Sequence, residues 1–233
     1  MSIFAKYNKP VDVIYTETIE FENTNFPLSL YPEIIKEGIA PPLGCPAVKA
    51  LSKRMYAQLS PITMDLKFGI SKVSGEFEWE YNMDKWVNKP HDWTDSLHEF
   101  VNSMIATVDM KPNPTLQFMT PWTFITDDPE LEITILSPFT YHNIKTNNVE
   151  YVPGMLKPYG WARPLNSAWQ IVDNKKQGSI SFVMGKPVSI LLFNKPVNLM
   201  YKAKTKEIDK FMKSINNIVD YISRPHLLLT KLY

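Results

Sequence analysis

The sequence predicts a mainly β protein with some helix: an antiparallel β-sandwich, jelly-roll or cupin-like, carrying two to three peripheral helices in a single domain of residues 1–233. Three observations predict it. EFEWEY alternates aromatic with acidic residues, the pattern of a sheet packed on one side and wet on the other. The second half holds the apolar runs TLQFMTPWTFIT, DDPELEITILSPF, SAWQIV, GSISFVMGKPVSILLF and KPVNLMYKA, separated by Pro, Gly or Asn rather than by crossover helices. A hydrophobic content of 44%, with 12% aromatic residues, must be buried somewhere, and 19 prolines against 8 glycines serve as punctuation between short elements.

VDVIYTETIEFE at the start has strand chemistry, with Tyr15 and Glu17 on one parity and Ile14 and Thr16 on the other. YPEIIKEG reads as a single helical turn opened by Pro32 and ended by Gly38. From Pro46 to Leu59, Val48, Leu51, Met55 and Leu59 stand at helical spacing. SPITMDLKFGI then alternates Ile62, Met64, Leu66 and Phe68 against Thr63, Asp65 and Lys67, as a half-buried strand does. After EFEWEY, a helix is expected along the stripe Leu97, Val101, Met104, Ile105 and Val108, capped by Asp92 or Thr94. GKPVSILLF and NKPVNLMY resemble each other but read as consecutive strands, each opened by Lys-Pro-Val, rather than as a repeat. A C-terminal helix is expected over about 204–222, its stripe Ile208, Phe211, Ile215 and Val219 facing the sheet and its lysines in water.

Charge and composition remove several functional classes. Twenty-five basic residues against 24 acidic ones leave a formal charge of +1, without a basic footprint for nucleic acid. No apolar run approaches the roughly 20 residues that span a bilayer, and MSIFAKYNKPVDV lacks the core of a signal peptide. The expected protein is soluble, unexported and free of membrane. A single cysteine permits no internal disulfide. No phosphate loop, dinucleotide fingerprint, nucleophile elbow or zincin motif is present in the sequence.

Four constellations could carry chemistry. Cys45, between Gly44 and Pro46 at an expected helix start, is either a thiolate activated by helix amides or a small buried plug, and the absence of a recognisable cysteine-hydrolase histidine favours the plug. HDWTDSLHEF places His91, Asp95 and His98 at helical spacings of four and three, the metal candidates of the chain, although Asp92, Asp95 and Thr94 also suit a helix cap. Glu76, Glu78 and Glu80 share a strand face and read as its solvated side rather than as a catalytic pair. Trp79, Trp122 and Trp169 fall within strand patterns and are assigned to the core, whereas Trp86, Trp93 and Trp161, in loop-like segments, are the candidates for an interaction surface.

In order along the chain, GCPAVKAL, LSPITMDLKF, MTPWTFIT, PELEITILSPF, VPGML and MGKPVSILLF resemble a protein family of marine tailed phages, including cyanophages, that has no known activity. Cys45-Pro46, Ser60-Pro61 with Asp65, Pro121-Trp122, Pro153-Gly154 and Gly185 with Pro187 match that pattern; the ending LLFNKP departs from it, where a proline before the phenylalanine and a basic residue after it are expected. The resemblance implies a viral origin and a shared fold. The matching residues are mostly those that organise backbone. The expected function is therefore a non-catalytic, protein-interaction or virion-associated phage module, without cofactor, located in the virion or the infected host cytoplasm and binding a protein component of either. The alternative is an iron-dependent oxygenase on the same kind of scaffold, drawing on His91, Asp92, Asp95, His98 and His142.

Overall fold

A computed structural model describes residues 10–17, 35–37, 54–60, 62–82, 101–102, 105–108, 114–138, 144–159, 164–172 and 175–202, together with 206, 208 and 210. The strands are β1 (Val11–Glu17), β2 (Ile35–Glu37), β3 (Met55–Leu59), β4 (Met64–Ile70), β5 (Phe77–Asn82), β6 (Ile105–Val108), β7 (Thr115–Ile125) and β8 (Ile133–Leu136). They continue as β9 (Lys145–Asn147), β10 (Val149–Val152), β11 (Gly154–Leu156), β12 (Pro164–Ile171), β13 (Gln177–Phe182), β14 (Pro187–Phe193) and β15 (Val197–Tyr201). The protein is mainly β, as the alternation predicts, and its sheets are antiparallel apart from the parallel pair β1–β15.

Sheet A runs β10-β12-β7-β1-β15, with β6 also on β7; sheet B runs β11-β8-β14-β3-β2; sheet C runs β5-β4-β13-β9. Sheets B and C meet at a corner. β3 passes into β4 through residues 60–63 while β13 passes into β14 through residues 183–186. The Ser60 amide donates to the Lys186 carbonyl and the Gly185 amide to the Ser60 carbonyl, so hydrogen bonding carries the strand pairing around the bend. B and C thus form one bent layer that faces sheet A, the way strands that change sheets build the corners of a sandwich.

Long β7 serves two partners on one edge: β6 pairs with its first residues and β1 with its last. Pro121 stands between the two pairings, where a missing N–H interrupts neither. Between the layers lies one cluster of buried side chains from all three sheets, including Phe118 and Trp122 of β7, Trp169 of β12, Phe182 of β13 and Phe193 of β14. Phe118 stacks on Phe182, with ring centroids 4.6 Å apart, and this contact ties sheet A to sheet C. Trp122 and Trp169 are buried, and Trp79 is half-buried against the same core, so the strand tryptophans lie where the alternation assigned them.

Three helical expectations give way to strands. The run Met55–Leu59 is buried at all five positions and forms β3, between β14 and β2. A strand covered on both faces shows no alternation, so periodicity alone cannot tell it from a helix. The expected turn at YPEIIKEG contains β2, because Ile35–Glu37 pairs with β3. Ile105–Val108, expected to continue a helix, is β6: β-branched Ile105, Thr107 and Val108 suit a ladder, and β7 offers an open edge. Among the described residues, helical backbone is confined to 101–102 and to 206, 208 and 210, rather than forming two to three helices. In the last of these, Lys206 and Lys210 are exposed and Ile208 is half-buried; Phe211, Ile215 and Val219 lie outside the described residues. GSISFVMGKPVSILLF, a single run in the sequence, divides into β13 and β14, while the two Lys-Pro-Val openings lead into consecutive strands of different sheets.

Candidate functional site: a polar cleft on sheet C

The outer face of sheet C is a cleft of about 530 Å³ built by four strands. Antiparallel pairing sets Glu80 of β5, Lys67 of β4, Ser179 of β13 and Asn147 of β9 in one row across the sheet. The next row on the same face is Glu78, Gly69 and Gln177. Neighbours in a row are about 4.8 Å apart and the two rows about 6.5–7 Å apart, spacings imposed by the ladder and the pleat. Gly69 gives the second row a backbone floor: a Cβ there would overlap the Lys176 carbonyl oxygen and the Gln177 side chain.

Two local features shape the cleft. Asn148 adopts a left-handed backbone with φ 56°, a conformation that asparagine tolerates better than most residues. That bend moves the chain from β9 in sheet C to β10 in sheet A, and the Asn148 side-chain Nδ2 donates to the Gln177 carbonyl at 3.3 Å. On the inner face, Gly178 lies directly against the Val149 side chain, leaving no room for a Cβ. The absent side chain lets β10 approach β13 closely and brings the β9 edge into position.

The charges of the cleft are largely matched. Lys67 Nζ stands 3.2 Å from Glu80 Oε1, with both side chains exposed, a geometry that contributes little stability. Ser74 Oγ donates to Glu78 Oε1 at 2.8 Å. Glu76, Glu78 and Glu80 are exposed, the solvated face that the alternation implied, while Phe77, Trp79 and Tyr81 are half-buried on the other parity. Burial raises the Tyr81 hydroxyl above its ordinary pKa. The side chains of Asn147, Gln177 and Ser179 make no hydrogen bond to another described residue.

A second polar group is occupied internally. Gln58 of β3, fully buried between sheets A and B, donates through Nε2 to Thr120 Oγ1 and accepts from Ser189 Oγ at 2.7 Å. Thr120 Oγ1 donates to the Leu165 carbonyl at 3.2 Å, and Ser167 Oγ to the Val188 carbonyl at 3.4 Å. The Tyr151 hydroxyl points toward Ser167 and Ser189 without reaching hydrogen-bond geometry, and burial pushes its pKa well up. Of these bonds, Gln58–Thr120 and Ser167–Val188 join sheet A to sheet B, and Gln58–Ser189 and Thr120–Leu165 link neighbouring strands within a sheet.

The sequence-predicted candidates Cys45, His91, Asp92, Asp95, His98, His142, Trp86, Trp93 and Trp161 lie outside the described residues. Among the described residues, no group of three or more His, Cys, Asp or Glu side chains could hold a metal ion, and no helix is long and apolar enough to cross a membrane. The cleft itself escaped sequence reasoning because Lys67, Glu78, Asn147 and Gln177 come from separate strands that only pairing brings together. Its one legible signal was the wet parity of β4 and β5. Compared with family models, curated proteins and solved structures, the chain matches none.

Proposed function

We propose that the chain is a phage interaction protein, a non-catalytic module of the virion or the infected host cytoplasm that binds a protein partner along the open edge of sheet B. The observation that carries this reading is β11. It pairs with β8 alone among the described strands, and it presents Met155, 69% exposed, with Tyr159, 53% exposed, just beyond it. An edge strand with exposed apolar side chains is the arrangement used for strand addition by a partner. The order of the Cys-Pro, Ser-Pro, Pro-Trp, Pro-Gly and Gly-x-Pro signals supports the phage origin, and Ser60 and Gly185, two of those signals, meet at the corner between sheets B and C.

A photo-crosslinking amino acid in place of Met155, expressed during infection, should give one reproducible adduct with a virion or host protein. The same group in place of exposed Lys175 should not. Equal crosslinking from both positions would remove the edge of sheet B as a docking site.

A further inference from the structure

We propose that the cleft on the outer face of sheet C is a binding site for a neutral oligosaccharide. Its volume of about 530 Å³ suits a small ligand rather than the flat footprint of a protein. The charges argue against an anion: Lys67 stands against Glu78 and Glu80, and Lys67 is already engaged by Glu80. Among the described residues, Lys67 is the one cation lining the cleft, too few to balance a phosphate or sulfate.

The groups left to bind are amides and a hydroxyl, on Asn147, Gln177 and Ser179. Each offers both a donor and an acceptor, and so does each hydroxyl of a sugar, whereas an anion uses donors alone and a cation acceptors alone. Glu78 and Glu80 each retain acceptor capacity beyond their single observed partners, and a carboxylate accepting from sugar hydroxyls makes the stronger, charge-assisted bond. The spacing is regular. Three inter-strand steps from Glu80 to Asn147 span about 14 Å, enough for a short chain of rings rather than a single one. The paired strands fix the backbone positions from which these side chains reach a ligand.

The site is separate from the edge of sheet B, so either reading can fail alone. The full chain is applied to an array of neutral, sialylated and sulfated oligosaccharides, and the best neutral glycan is then titrated in solution. Binding to neutral glycans is expected, weakened about fivefold or more by Asn147→Ala and again by Gln177→Ala, with thermal unfolding unchanged and with Met155→Glu binding as the parent does. Absence of binding to every neutral glycan, a preference for sulfated or sialylated ones, unaltered affinity in the Asn147→Ala/Gln177→Ala double variant, or a protein crosslinked from position 147 in place of a glycan would each overturn the proposal.

Discussion

Replacing Gln58 by leucine isolates the polar bridge between the layers. The substitution nearly conserves volume in a fully buried position, so the cavity contribution is small and the polar one dominates. Two partners change. Thr120 loses an incoming proton but still donates to the Leu165 carbonyl, whereas the Ser189 hydroxyl loses the acceptor it reaches at 2.7 Å. An orphaned buried hydroxyl costs about 1–3 kcal/mol, and the expected loss for Gln58→Leu is about 2–3 kcal/mol, a large part of the 5–15 kcal/mol that holds a typical domain together. Ser189→Ala alone leaves Gln58 Oε1 without its donor and should cost about 1–2 kcal/mol. Removing both members removes both orphans, so the double variant should be about 1–2 kcal/mol more stable than the summed single losses predict. Urea unfolding of the parent, both single variants and the double variant measures this, with unchanged slopes confirming that the transition itself has not altered. A loss below about 0.5 kcal/mol for Gln58→Leu would show that its polar contacts do not stabilise the fold, and additivity within that margin would show that Gln58 and Ser189, neighbours on β3 and β14, are not coupled.

Gly178→Ala should cost about 1–3 kcal/mol, since its Cβ would overlap the Val149 side chain; in a Val149→Ala background, which removes the obstructing atom, more than half of that loss should vanish, and an equal loss in both backgrounds in thermal melts would refute the contact. The Asp128 carboxyl is held below the usual carboxylate range, first by the Lys195 ammonium at 2.8 Å and also by the Glu130 amide, against an opposing effect of burial. A depressed folded-state pKa stabilises the fold above the unfolded value of about 4 and is lost as pH falls through the folded value. Lys195→Met should therefore cost more stability at pH 7 than at about pH 3, and a loss independent of pH in parallel denaturation curves would contradict the pairing.

What could be read from the sequence was whatever one strand settles by itself. The alternation in EFEWEY and SPITMDLKF placed Glu78, Glu80 and Lys67 outside and Met64, Leu66 and Phe68 inside, because a strand half-buried in a sheet must separate the two chemistries by parity. The interrupted apolar runs of the second half likewise foretold antiparallel β structure. Tertiary structure decided the rest. Met55–Leu59 and Ile105–Val108 carry helical spacing yet are strands, because the edges of β14 and β7 were there to pair with them, the first far along the chain and the second close by, and a ladder partner outweighs a weak local preference. The cleft is the same lesson at the level of function: Asn147, Ser179, Lys67 and Glu80 lie in one row only because register aligns them, and each strand contributes a single residue to that row. Parity is a property of one strand and is written locally; the row across a sheet is a property of pairing, and it exists only once the chain has folded.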